Sequence, residues 1–168
     1  MIVVSDTTPI VALLKAGRLE LLHDLFGQVV IPDAVYAELS AKPKFQDEAE
    51  AIDTCGFIAR KSASDTTMID SLRQIAGMHL GESEAIVLYG ELHADLLLVD
   101  DAKARKTAAN LKLNMTGTVG IVKAGYLNGM LTREDVVSCI TNFKNNEIFI
   151  SEAHYEKLLN EIDEIEAR

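Results

Sequence analysis

The chain has 168 residues, 48% of them hydrophobic and 25% charged. That is an ordinary globular mix at a length suited to one domain with its own core, which excludes disorder as the default state. The net charge of −10 excludes a protein that coats nucleic acid by bulk attraction, but not an enzyme that meets it through a local basic patch or a bound cation.

Ile2-Val3-Val4 is a short apolar run that stops at Ser5-Asp6, the pattern of a strand buried on both faces of a parallel sheet. Thr7-Thr8-Pro9 supplies caps and a first-turn proline for a helix through Lys15, stopped by Gly17. Leu19 to Phe26 reads as a second helix, and Val29-Val30-Ile31 as a second buried strand. Pro32-Asp33 opens a helix through Leu39. Residues 40–66 are polar, with a loop around Pro43, a helix over Gln46 to Thr54 and a strand at Phe57-Ile58-Ala59. Gly81 precedes a helix from about Glu82 to Leu92. Leu96-Leu97-Leu98-Val99 is the clearest strand, ending at Asp100-Asp101, and a helix from Ala102 to Leu111 follows. Asn114-Met115-Thr116 reads as an edge strand, Val119 to Leu127 as a helix, and Tyr126 to Leu131 as a turn. Thr132 and Asp135 form a capping pair for a helix through Ile140. Tyr155, Leu158, Leu159, Ile162 and Ile165 recur at helical spacing in the last segment, Ser151 to Glu166.

Short apolar strands alternating with helices predict an α/β fold, a three-layer α/β/α sandwich around about five mostly parallel strands. Cys55 and Cys139 are too few for a disulfide framework, and no Cys-x-x-Cys pair exists for a zinc ribbon. The apolar stretch Pro9 to Leu14 is too short to span a bilayer and has no basic leader before it, so a cytoplasmic protein is expected, without a membrane partner.

Ligands of parallel α/β folds sit at the carboxyl ends of the strands. Asp6 follows the first strand and Asp100-Asp101 a later one. Glu38 shares a helix face with Ala34 and Val35, and Glu82 stands likewise against Ala85 and Ile86, with Glu84 one turn edge away. Two unit charges ~5 Å apart repel by roughly 3 kcal/mol at an effective dielectric of about 20. Four such groups stay ionised together only around a cation. Oxygen donors without His or Cys select a hard divalent ion, Mg²⁺ or Mn²⁺, which can activate water and offset phosphodiester charge. Each acid also has a plainer reading: Asp6 or Asp101 as a helix cap, Glu82 or Glu84 as a complement to a helix dipole, Glu38 as a half-exposed helix edge.

Val4-Ser5-Asp6-Thr7-Thr8-Pro9-Ile10, Ile31-Pro32-Asp33-Ala34-Val35-Tyr36-Ala37-Glu38-Leu39, Gly81-Glu82-Ser83-Glu84-Ala85-Ile86 and Leu98-Val99-Asp100-Asp101 resemble, in order, the four acidic motifs of the PIN-domain family. The resemblance spans roughly residues 1–130. It is nearest to a prokaryotic subgroup with a Gly-Glu-x-Glu-Ala turn and an Asp-Asp pair, related to VapC-type toxins. It implies a metal-dependent ribonuclease that holds Mg²⁺ or Mn²⁺ and hydrolyses RNA. Many members are toxins restrained by a small antitoxin, and many are homodimers. Carried onto this chain, Asp6 is a central ligand, Glu38 a ligand or the group that orients the attacking water, Glu82 the third acid, and Asp100 or Asp101 the fourth. Thr7 or Thr8 would hydrogen-bond a carboxylate or water, with Glu84 and Thr118 as further supporting candidates. Toxin-type members more often carry Asp where Glu82 or Glu84 stands here. The implied organisation is a nuclease domain over 1–130 and a C-terminal helical extension over 131–168 packed on the same domain.

Lys103, Arg105 and Lys106 follow the Asp pair and are candidate RNA contacts, with a solvated helix face as the plainer reading; Lys15 and Arg18, after the first helix, are candidates to line the same entrance. The four histidines show no metal-ligand spacing. Two other functions compete. One is a phospho-acceptor receiver module, which also binds Mg²⁺ beside an Asp pair but with the acids in the reverse chain order. The other is a catalytically silent PIN-fold binding protein. A dehalogenase-type phosphatase would need Asp two residues after Asp6, where Thr8 stands.

Overall fold

The computed structural model describes residues 1–167. Three buried residues, Val3–Ser5, form β1. Helices α1 (Thr7–Lys15) and α2 (Glu20–Phe26) lead to β2 (Val29–Pro32), whose four residues are all buried. Helix α3 (Asp33–Ala41), a 3-10 turn (Pro43–Phe45) and α4 (Gln46–Thr54) lead to β3 (Ile58–Lys61). Then come α5 (Thr66–Ala76), α6 (Leu80–Glu91), β4 (Leu96–Leu98), α7 (Ala102–Asn110) and β5 (Met115–Thr116). Helices α8 (Thr118–Leu127), α9 (Arg133–Asn145) and α10 (Glu152–Glu166) complete the described chain.

The five strands form one parallel sheet in the order β3-β2-β1-β4-β5, with Val3 beside both Val29 and Leu96. Alternation along each strand sends successive side chains to opposite faces. Val3, Val29, Ile31 and Leu98 join a core with residues of α1, α2, α8, α9 and α10. Val4, Val30, Leu97 and Val99 join a second core with α5, α6 and α7. Helices therefore cover both faces, and the expected α/β/α sandwich is the observed fold. Phe143 of α9 and Tyr155, Leu158 and Ile162 of α10 are buried in the first core, so these helices share it with the sheet.

Two differences from the sequence reading have simple causes. No element is expected over Thr66–Ala76, yet α5 is there. Only its Ile69 and Leu72 are buried, a stripe too narrow to stand out in a polar stretch. Helix α9 continues past Ile140 to Asn145 because Phe143, one turn on, is also buried. The Thr132–Asp135 capping pair forms as expected.

The strand order places the site. From β1 the chain steps outward to β2 and β3, then crosses back to β4 on the other side of β1 and on to β5. The carboxyl ends of β1 and β4 thus border the topological switch point, where loops diverge and leave a crevice. Asp6 and Asp100 follow those two strand ends.

Candidate functional site

Asp6 directly follows β1, and its backbone N–H donates to Leu98 O of β4 at 2.9 Å. This bond fixes the residue at the β1–β4 seam. Asp6 occupies the N-cap position of α1, but its side chain makes no cap bond, so the plain capping reading does not account for it. It is 4% exposed. Burial pushes its carboxyl up from 3.8 to about 7; the Thr7 amide opposes the rise, and the charges of Glu82, Glu38 and Asp100 add to it.

Those neighbours come from three other elements. Glu38 rises from the second turn of α3. Its Oε1 accepts from Lys42 Nζ at 2.7 Å and its Oε2 from Thr7 Oγ1 at 3.4 Å. Helix α6 begins at the same place because Gly81 permits it. A Cβ on Gly81 would stand 3.2 Å from Val35 Cγ2, 3.7 Å from Asp6 Oδ1 and 3.8 Å from Glu38 Oε2. The glycine thus lets α6 close on α3 and the end of β1. One residue on, Glu82 accepts a bond from the His79 N–H at 2.9 Å. Burial raises its pKa against that bond, and the Asp101 charge raises it further.

The adjacent aspartates do different work. Asp100 accepts from the Thr118 N–H at 2.9 Å and from Thr118 Oγ1 at 2.5 Å. Burial raises its pKa, and the two Thr118 bonds and the Arg105 charge oppose the rise. Asp101 caps α7, its Oδ1 accepting from Lys103 N at 2.8 Å and Ala104 N at 2.9 Å. The capping reading therefore holds for Asp101, but not for Asp6.

All five acids, with Thr7 and Thr8, line one cavity of about 1010 Å³. Among the described residues, no three or more His, Cys, Asp or Glu side chains stand close enough to form a ready metal cluster. Lys42, His79, Thr118 and the first turn of α7 each engage a carboxylate, so these like charges surround a shared space without closing on a point. The donor set fits a hard divalent cation: it is all oxygen, it is concentrated in one cavity, and its most buried member has its ionisation suppressed.

The structure sorts the remaining candidates. Glu84 is not at the cavity. It is 7% exposed, and it accepts from Ala34 N at 2.9 Å and Ala63 N at 3.0 Å, holding the start of α3 to the loop after β3. Its partners are part-buried backbone amides, so its supporting role is in the fold. Lys15 is ion-paired with Glu48, and Arg18 with Asp135 at 2.5 Å; neither lines the cavity. Lys103 Nζ donates to Gly77 O at 3.1 Å, Arg105 Nη1 donates to Val99 O at 2.9 Å, and Lys106 is exposed. Among the described residues, the cations that do line the cavity are Lys42, Lys44 and Arg73. They lie on the loop after α3 and on α5, segments whose approach to the acids no sequence spacing reveals.

A parallel sheet ordered 3-2-1-4-5, with acids at its switch point, defines an α/β enzyme-like domain and differs from the 2-1-3-4-5 order of receiver modules. The chain belongs to the PIN-domain family, whose model matches residues 2–164. That family has a nuclease-like fold and generally uses divalent metal ions. The match extends through α9 and most of α10. No curated protein matches the chain. Among the described residues, no helix is long and apolar enough to cross a membrane.

Proposed function

We propose that the protein is a Mg²⁺- or Mn²⁺-dependent endoribonuclease. The observation that carries this reading is the convergence of Asp6, Glu38, Glu82, Asp100 and Asp101 on one cavity at the β1–β4 switch point. Asp6 and Asp100, from the two strand ends, hold the ion, and Glu38 and Glu82 complete its acidic surroundings. Asp101 positions α7 beneath it. A bound divalent ion supplies Lewis acidity toward water and a phosphate oxygen. Glu38, its side chain 40% exposed and held by Thr7, would orient the water that attacks phosphorus. Lys44 and Arg73, which line the same cavity, hold flanking phosphates by charge, while Lys42 stays paired with Glu38.

The resemblance to VapC-type toxins supports a cytoplasmic toxin, restrained by a small antitoxin and working as a homodimer. Residues 1–130 are then the nuclease domain and the part from 131 on its helical extension. An antitoxin frame beside the coding sequence is the expected finding. The test of the chemistry is cleavage of single-stranded RNA with Mn²⁺ by wild type and Asp6→Asn. The variant should lose at least about a hundredfold in rate, and equal rates would rule the mechanism out. A second reading, a silent PIN-fold binding protein, is favoured by the protein donors that already engage Glu38, Glu82 and Asp101. It predicts no rise in melting temperature with either ion.

A further inference from the structure

The segment between α9 and α10 carries an aromatic ring that the fold does not use. Ile148 and Ile150 are half-buried against the first core, while Phe149 between them is 96% exposed. It is the one exposed phenylalanine of the five in the chain. The placement is built. Glu147 adopts a left-handed φ of 56°, Ile148 N–H donates to Phe143 O at 3.0 Å, and Ile150 N–H donates to Ile148 O at 2.9 Å. The two isoleucines anchor the turn and direct the ring outward.

The ring stands at a particular boundary. Beside the acidic cavity lies a second cavity of about 360 Å³, and the two share the residues Asp100 and Phe149. The second cavity holds Arg105, Lys123 and Lys157. Among the described residues, the two lysines share a single acid, Glu161, at 2.7 and 4.0 Å, which leaves positive charge over. Lys42, Lys44 and Arg73 line the first cavity together with the acids, Lys42 paired with Glu38. In a chain of net charge −10, both cavities thus carry cations, and the exposed aromatic ring lines both.

Alternating cations and an aromatic face suit a single strand of nucleic acid, whose phosphates follow charge while an unpaired base stacks on the ring. We propose that Phe149 is the stacking platform for an unpaired RNA base next to the scissile phosphate, and that the strand continues into the second cavity, where Arg105, Lys123 and Lys157 take the next phosphate. This rests on the ribonuclease reading and adds to it the residue that seats the base beside the scissile phosphate and the path the strand takes from there. Phe149 is then a positioning residue: it sets where the strand lies and touches no reacting atom.

The chain contains no tryptophan, so Phe149→Trp introduces a unique reporter. In an Asp6→Asn background with Mn²⁺, titration with a single-stranded oligoribonucleotide of about eight nucleotides should quench its emission, and a blunt duplex of the same sequence should not. In steady-state cleavage, Phe149→Ala should raise KM by about tenfold, with the smaller part of the loss in kcat, and Phe149→Trp should restore it. The melting temperature of Phe149→Ala should match wild type, since the exposed ring supports no core. Unaltered KM for Phe149→Ala overturns the proposal. So does unquenched emission while labelled RNA binds, or a change in oligomer size with RNA binding intact, which would assign the ring to a protein contact. If wild type neither binds nor cleaves RNA, the ribonuclease reading itself fails and takes this one with it.

Discussion

Thr118 holds both oxygens of Asp100, its N–H donating to Oδ1 at 2.9 Å and its hydroxyl to Oδ2 at 2.5 Å. Thr118 is fully buried at the start of α8, so a helix from one side of the sheet fixes the acid that follows β4. Groups that orient a metal-ligating carboxylate contribute to affinity without touching the ion.

Thr118→Val keeps the shape and the backbone bond but removes the hydroxyl. It should weaken Mn²⁺ binding by about 10- to 100-fold and destabilise the protein by about 1–2 kcal/mol. Calorimetric titration with Mn²⁺ and a melting curve measure the two effects separately. Unchanged Mn²⁺ affinity would remove Asp100 from the proposed ligand set.

The loop before Thr118 passes close to the same carboxylate. A Cβ on Gly117 would collide with Asp100 Oδ1 and lie 3.2 Å from the Val99 carbonyl oxygen. Backbone cannot yield as a flexible side chain can. Gly117→Ala should therefore cost about 1–3 kcal/mol and displace Asp100, lowering both the melting temperature and the Mn²⁺-dependent cleavage rate. Wild-type behaviour in both assays would contradict the close approach.

Asp6 predicts an unusual stabilisation by mutation. The unfolded group ionises near 3.8 and the folded one near 7. Below the lower value both states hold the proton and the shift contributes nothing. Between the two values only the folded state holds it, so stability falls as pH rises, and above about 7 the whole loss stands, on the order of 4 kcal/mol. With EDTA present, Asp6→Asn should melt above wild type at about pH 8, and the difference should shrink toward about pH 4. Parallel pH profiles for the two proteins would show that Asp6 is not desolvated.

The two glutamates of Gly81-Glu82-Ser83-Glu84 should separate by assay. Glu84→Ala strips two part-buried amides, Ala34 N–H and Ala63 N–H, of their acceptor and should cost about 1–3 kcal/mol. Glu82→Gln changes one half-buried group at the cavity. It should lower cleavage strongly and the melting temperature little. The reverse assignment of losses would overturn the roles given to these neighbours.

What the sequence revealed follows from where information is local. Val29-Val30-Ile31 and Leu96-Leu97-Leu98 are legible because strands buried on both faces are continuous apolar runs. Asp6 and Asp100 are legible because parallel sheets place ligands at strand ends. Glu84 misleads because its spacing beside Glu82 gives no sign that Ala34 and Ala63 amides lie beneath it. Lys15 and Arg18 read as candidate RNA contacts, yet tertiary packing brings Glu48 and Asp135 to them. The approach of Lys42, Arg73 and Phe149 to the acids depends on loop paths and helix packing, which no short motif encodes.

The central claim is that Asp6, Asp100, Glu38 and Glu82 surround one hard cation. Crystals of the protein soaked in Mn²⁺ and measured for anomalous scattering test it directly. The account predicts one or more anomalous peaks within ligand distance of Asp6 and Asp100 carboxylate oxygens, roughly 2.0–2.3 Å. A well-ordered cavity with no peak, or ions bound only elsewhere, would contradict it.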